Sequence, residues 1–390
     1  MRSTEAGQGA GQMAFRDVVV APTESVIGRR TRAEFQGGPL WPEFDNRLHA
    51  RHCRGPAPKP FDVAPTPPDE VADTLGEAVW CGPVCPHFGH AIADFAMRIA
   101  ESAHRFPALP LLFCTWPGGA ATPPPYFLGF LAQFGVAPHR VVLRDTPIRV
   151  GTLHVLPQAE RLGGPPPRAE YLDLLDRCTP SDRDAELAEA TIFVSRSRIH
   201  RDTLAGRLAG EAYLDEVLAA AGARVMHPET LPLDEQLRCY RSARRLVFSE
   251  GSALHAMQLL GRVRAEVSVL TRRPDLRMAR AALRPRAAAL HWVDATSGLL
   301  RGHHRSGRGV DNSRALAVLD PPVLLARLGE ATGLGLARHW DAARFAAASA
   351  QDVTRWVRAR RLRLRGQAHA ASDAAMVAAG LEALGLPPVG

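Results

Sequence analysis

The chain has 390 residues, 46% of them hydrophobic, which is too long for one compact domain, about right for two, and enough to bury a sizeable core. No apolar run reaches the roughly 18 residues that mark a membrane helix, and residues 1–30 lack the apolar core of a signal peptide, which points to the cytoplasm. The formal charge is +8 and Lys59 is the only lysine; the arginines are dispersed and aromatics make up only 6%, which argues against a nucleic-acid stacking surface and leaves phosphates, an anionic glycan or the inner-membrane surface as partners, or a plain compositional bias toward Arg, Ala, Gly and Pro.

Residues 1–70 read as an irregular N-terminal segment with a few short strands, because the prolines at 57–60 and 64–68 break regular structure. From about 75 the pattern becomes regular. A short apolar run at 77–80 precedes a helix over 88–104, with Ile92, Phe95, Ile99 and Ala103 on one face. A buried strand at 109–114, a helix at 126–134 and strands at 141–143 and 152–156 follow. The Gly-Pro breaker at 163–167 marks the passage from an N-terminal domain at 71–180 to a C-terminal domain at 181–320. There, strands at 191–195, 223–227, 246–249 and 266–270 alternate with helices inside 204–221, at 233–242 and at 252–260. That alternation predicts an α/β fold with a doubly wound parallel sheet. Residues 321–390 form an Ala-rich helical tail; Arg355, Arg358, Arg360, Arg361, Arg363 and Arg365 make either a solvated helix face or a contact for anionic lipid or polysaccharide.

Three segments carry chemistry. In the first, 81–95, His90 and Asp94 stand four apart at a helix start and share a face. A carboxylate beside an imidazole orients it and tunes its pKa, which suits general-base work; a local surface pair is the bland alternative. Cys81, Cys85, His87 and His90 could be read as zinc ligands, but the spacing is not that of a common zinc module and Pro83 and Pro86 restrict the loop, so no metal site is predicted. All six cysteines are expected to be reduced. In the second segment a buried strand runs out into Ser195, Arg196, Arg198 and Arg201. The carboxyl end of a parallel strand is where open α/β sheets bind ligands, and arginine matches phosphate. In the third, Glu235 and Gln236 precede a strand that ends in Glu250, Gly251 and Ser252 before a helix whose first N–H groups would face a phosphate, with Ser252 as its cap.

The order of these motifs resembles glycosyltransferase family 61, in its bacterial-type members: Gly-His-x-x-x-Asp at 89–94, Ser-Arg followed by Arg at 195–201, Pro-Glu-x-Leu-x-x-x-Glu-Gln at 228–236 and Gly-Ser-Ala-Leu at 251–254. The resemblance covers roughly 75–275. It implies a GT-B-like fold of two Rossmann-like doubly wound domains facing a cleft, with the C-terminal helix crossing back to the first domain. It implies an inverting, metal-independent transfer of a hexose or pentose from a nucleotide-sugar donor to a glycan or lipid-linked acceptor, without further cofactor, in surface polysaccharide biosynthesis. Carried over by position, Arg196, Arg201, Gly251 and Ser252 hold the donor diphosphate, Glu235 and Gln236 shape the donor side, and His90 or Asp94 is the acceptor-side base. The chain departs from the family pattern at Glu250, where many members have His, at Gly210-Glu211, where many have Asn-Glu, and at His255, where Asn is frequent. Glu250 could instead bond a ribose or sugar hydroxyl. A catalytically inactive glycan-binding relative is the alternative. A dehydrogenase lacks its Gly-x-Gly-x-x-Gly turn here.

Overall fold

The computed structural model describes residues 13–26, 35–179, 184–199, 204–304 and 306–390. The first half contains β1 (Met13–Ser25), β2 (Phe35–Pro39), the small hairpin β3–β4 (Cys53–Arg54 and Lys59–Pro60), β5 (Asp62–Val63), β6 (Asp73–Pro83), β7 (Leu111–Cys114), β8 (Val141–Arg144) and β9 (Ile148–Val155). Apart from the hairpin these strands form one sheet in the order β5-β2-β1-β9-β6-β7-β8. β9, β6, β7 and β8 run parallel, whereas β1 is antiparallel to both β2 and β9. The first half is therefore a mixed sheet rather than the doubly wound parallel one expected. The segment expected to be irregular supplies β1, 13 residues long and near the middle of the sheet. Its Val18 and Val20 are buried, and a run of β-branched residues favours a pleated, half-buried strand. Asp17, with φ of 53°, breaks the alternation that would have revealed it.

The second half contains β10 (Thr191–Val194), β11 (Arg207–Leu208), β12 (Arg224–Met226), β13 (Arg245–Ser249), β14 (Glu266–Leu270), β15 (Ala289–Val293), β16 (Thr296–Leu300) and β17 (Leu316–Leu319). Here β12-β10-β13-β14-β15 is parallel throughout. β10, β13 and β14 are buried along almost their whole length, as continuous apolar runs covered on both faces should be. Counted in chain order the strands lie 2-1-3-4-5, so the winding reverses between β10 and β13. Open α/β sheets bind ligands in the crevice outside the carboxyl ends of two such strands.

The two halves share one core, in which Phe95 and Leu131 from the first half join Val194, Phe248 and Leu254 from the second. The fully buried pair of Glu160 and Arg286 crosses the same boundary. Arg286 Nε also donates to Leu260 O at 2.9 Å, and Gln258 Nε2 donates to Glu160 Oε2 at 3.2 Å. The C-terminal helices Ala342–Leu364 and Ala370–Ala383 do not follow the expected return to the first half. They pack on β16, β17 and helix Glu211–Ala220 through Val353, Trp356, Val357, Val377 and Leu381. Of the arginines on that stretch Arg360 is buried against Asp373 (Nε to Oδ2, 2.7 Å), while Arg355, Arg358, Arg361, Arg363 and Arg365 face solvent. Among the described residues no helix is long and apolar enough to cross a membrane.

Candidate active site

The expected helix over 88–104 forms, but it is rewound where the motif lies. A single α-turn at Phe88–His90 gives way to a π-turn at Ala91–Phe95 and a 3-10 turn at Ala96–Arg98 before α-helix resumes at Ile99–Arg105. Such π-turns are frequent at functional sites. The turn buries Asp94 completely and leaves His90 partly open. Asp94 Oδ2 lies 2.7 Å from His90 Nδ1. Arg54, at the end of β3, grips the same carboxylate from the other side, with Nε 2.9 Å from Oδ1 and Nη2 2.8 Å from Oδ2. The Arg54 guanidinium is itself stacked on Phe61, 4.2 Å from the ring centroid. Burial alone would raise Asp94, but the His90 hydrogen bond and Arg54 together hold it below the ordinary carboxylate range. Asp94 is thus a fixed anion that can only accept from His90 Nδ1. The other ring nitrogen, Nε2, is left to act as acceptor for a proton.

Two further imidazoles border this pair. His87 caps the α-turn, accepting from the His90 N–H at 3.4 Å, and burial followed by the neighbouring His90 pushes it down to about 4. His255 is buried and lowered by that burial, and its Nδ1 donates to Gln258 Oε1 at 2.8 Å. Both stay neutral at ordinary pH. Gly89 lies so close to the next segment that a Cβ on it would come within 2.9 Å of Ser252 Oγ. This contact brings the His90 turn against the Gly-Ser turn.

At the switch point Arg196 stands two residues past the end of β10 and Glu250 follows β13 directly. Gly251 is extended, so its backbone imposes no glycine; space does, because a Cβ there would overlap the Arg196 guanidinium. Arg196 Nη2 donates to Gly206 O at 3.0 Å, and its backbone N–H donates to Glu211 Oε1 at 2.8 Å. Glu211 opens helix Glu211–Ala220 behind Gly210, where φ is +79° and a Cβ would strike Phe345, so the departure at 210 is one that only glycine permits. Arg272 and Arg273, just past β14, complete the cluster. Glu250 Oε2 accepts from both backbone N–H groups at 2.9 Å, and Oε1 accepts from Arg273 Nε at 2.8 Å. Burial, then Arg273 and Arg196, push Arg272 down to about 9, and burial also lowers Arg196. Three guanidiniums thus crowd two buried carboxylates, a surplus of positive charge at the end of the sheet.

The structure does not treat the remaining predicted residues alike. Glu250 is fully occupied within the protein and points at no open space for a sugar hydroxyl. Ser252 caps nothing: the segment Ser252–Leu259 is a 3-10 helix whose cap position is Gly251. Ser195 is buried, its Oγ accepting from Ser197 N at 3.1 Å, and Arg198 is exposed. Gln236 is turned inward, its amide donating to Pro228 O at 2.8 Å and Leu231 O at 3.0 Å, and Glu235 lies on the outer face of the same helix. Arg201 lies outside the described residues. Cys81 and Cys85 are buried with thiols pushed up to about 12 by desolvation, and among the described residues no three His, Cys, Asp or Glu side chains are placed to hold a metal ion. Arg54, Arg272 and Arg273 were missed from the sequence. The last two carry the same signal as Arg196, cations just past the end of a buried parallel strand, whereas nothing local marks Arg54.

Residues 88–262 match the family model described as Glycosyltransferase 61, a span that holds His90, Asp94, Arg196, Glu211 and the Gly-Ser turn. No curated protein matches the chain. The matched domain makes the protein a glycosyltransferase, which acts between a sugar donor and a glycan acceptor.

Proposed function

Taking residues 88–262 as a glycosyltransferase 61 domain, we propose that the protein is an inverting, metal-independent enzyme that moves a sugar from a nucleotide-sugar donor to a glycan or lipid-linked acceptor across a GT-B-like site. His90 Nε2 takes the proton of the acceptor hydroxyl. That oxygen attacks the anomeric carbon opposite the leaving nucleoside diphosphate, so one glycosidic bond forms as the sugar–phosphate bond breaks and the configuration inverts. Asp94 is a positioning residue: it fixes the tautomer of His90 and stabilises the imidazolium that forms. Arg54 keeps Asp94 ionised. Arg196 holds the donor diphosphate in the ground state, and Arg272 takes the charge that develops on it as it leaves, in a site already arranged for it. Glu250 positions Arg273 and the loop that follows β14. The observation that carries this reading is the cation surplus at the switch point, joined through Gly89 and Ser252 to a histidine with one nitrogen left over. We further place the enzyme in the cytoplasm in surface polysaccharide synthesis, with the exposed arginines of helix Ala342–Leu364 toward the inner membrane.

Thermal unfolding of the purified protein against a panel of nucleotides and nucleotide sugars, with and without EDTA, tests this. A ligand at about 100 times its Kd adds about 2.7 kcal/mol to the native state. Stabilisation by one nucleotide family, insensitive to EDTA, is expected. Loss of the shift in EDTA would contradict metal independence, and no shift with any nucleotide would favour an inactive glycan-binding protein.

A further inference from the structure

Beside this site, on the seam between the halves, is a cavity of about 630 Å³. One wall is the Gly-Pro stretch around Arg161, the other is the segment that carries Arg277, Arg280 and Arg284, and Gln258 lies at the meeting of the two. Among the described residues no Asp or Glu lines it. The nearest buried carboxylate, Glu160, is already bound to Arg286. Arg277 is neutralised by Asp294, at 2.7 Å. Among the described residues the other three have no such partner, and Arg161 donates only to backbone oxygens, from Nε to Gly55 O at 3.4 Å and from Nη2 to Pro56 O at 3.1 Å. Arg280 and Arg284 are exposed and form no ion pair among the described residues. Uncompensated cations in a concave recess with low-dielectric walls focus a positive potential into it.

The cavity is wired to the reacting groups from both walls. Gln258 accepts from His255 Nδ1, and the His255 ring comes within 3.4 Å of where a Cβ on Gly89 would stand, next to His90. On the other wall Arg161 holds the backbone of Gly55, and the preceding Arg54 clamps Asp94. The cavity and His90 are thus linked through Gln258 and His255 on one wall and through Arg161, Gly55 and Arg54 on the other, whereas the proposed diphosphate cluster lies at the carboxyl ends of β10, β13 and β14.

We propose that this cavity binds an anionic group of the acceptor, a carboxylate or a phosphate, so that the enzyme acts on an acidic glycan or on a glycan held on a phosphate-bearing carrier. The inference rests on the glycosyltransferase reading and names the acceptor class for that same site.

Calorimetric titration of the full-length protein, its diphosphate cluster first filled by the nucleotide that most stabilises it, with hexagalacturonate, with farnesyl diphosphate and with neutral maltohexaose tests it. At least one of the two anionic probes is expected to bind and the neutral one not to, with binding weakened in 0.5 M salt, where screening is nearly complete (Debye length on the order of 4 Å). Hexagalacturonate alone would assign the site to carboxylates, farnesyl diphosphate alone to phosphates. Arg280→Glu with Arg284→Glu should weaken the bound probe about tenfold or more, and the Gln pair should weaken it less. Arg196→Ala should leave it unchanged, which separates this cavity from the diphosphate cluster. The nucleotide-induced thermal shift should persist in the charge-reversed variant, so a failure of the donor reading and a failure of this one give different patterns. Equal binding by wild type and the charge-reversed protein, binding lost in Arg196→Ala, or no binding of either anion would overturn the proposal.

Discussion

Around Asp94 one buried carboxylate is shared by Arg54 and His90, whereas around the Gly-Ser turn Arg196, Arg272 and Arg273 crowd Glu211 and Glu250. The first region is close to charge balance and, among the described residues, leaves His90 Nε2 without a hydrogen-bond partner. The second is oversupplied with cations, and burial first, then repulsion from Arg273 and Arg196, lowers Arg272. A balanced pair with one free proton-accepting atom is suited to moving a proton. A crowded set of cations is suited to holding an anion, because only a bound anion relieves the crowding. The division of labour in the proposed reaction follows from that difference in electrostatics.

The sharpest way to break the comparison is His90→Ala. Loss of a general base costs about 10²- to 10⁴-fold in turnover, and because the side chain is partly open the melting point should stay near wild type. Initial rates of sugar transfer and a thermal scan read the two effects separately. Next in size is Glu160→Ala, which leaves Arg286 buried and unpaired where the halves meet. Denaturant unfolding should show a loss of about 3–5 kcal/mol, because both regions depend on that seam. Arg196→Ala should weaken nucleotide binding by about 2 kcal/mol, or roughly thirtyfold, with turnover at saturating donor far less affected. Affinity and kcat measured together distinguish it from His90→Ala.

The smallest expected effect concerns pH. Asp215, beside Ser197 on the edge of the arginine cluster, is pushed up to about 7, mainly by burial and against the Ser197 and Ser195 hydrogen bonds. A carboxyl raised from its ordinary 3.8 favours the folded protein when protonated, so its contribution is present below about pH 4 and fades as pH rises through about 7. Asp215→Asn removes that pH-dependent loss. Relative to wild type it should gain stability at pH 8 compared with pH 5, by about 1–2 kcal/mol after solvent relaxation around a partly open group. An equal change at both pH values would show that Asp215 titrates where an ordinary aspartate does.

The legible parts of the molecule are those fixed by local pattern. β10, β13 and β14 are short apolar runs between turn signals, and residues that follow such strands fall at the carboxyl edge of the sheet, which is why Arg196 and Gly251 could be found. His90 and Asp94 are four apart on one helical face, and their pairing survives even though a π-turn intervenes. What escaped was non-local or locally disguised. Arg54 reaches Asp94 from a two-residue strand that carries no periodicity. Glu160 and Arg286 meet only because the two halves pack. β1 is masked by the Asp17 break and by the prolines that follow it. The turn after Gly251 has helical composition, yet it winds as 3-10, and its hydrogen-bond spacing cannot be read from apolar periodicity over eight residues.

The measurement that bears most directly on the central claim is calorimetric titration, with the nucleotide that most stabilises the wild-type protein, of His90→Ala and Arg196→Ala, set beside their rates of sugar transfer. The account predicts a crossed result: His90→Ala binds the nucleotide as wild type does and no longer transfers, and Arg196→Ala binds it about thirtyfold more weakly and still transfers at saturating donor. If His90→Ala lost the nucleotide, or Arg196→Ala bound it normally, the separation of proton transfer from diphosphate binding would be contradicted.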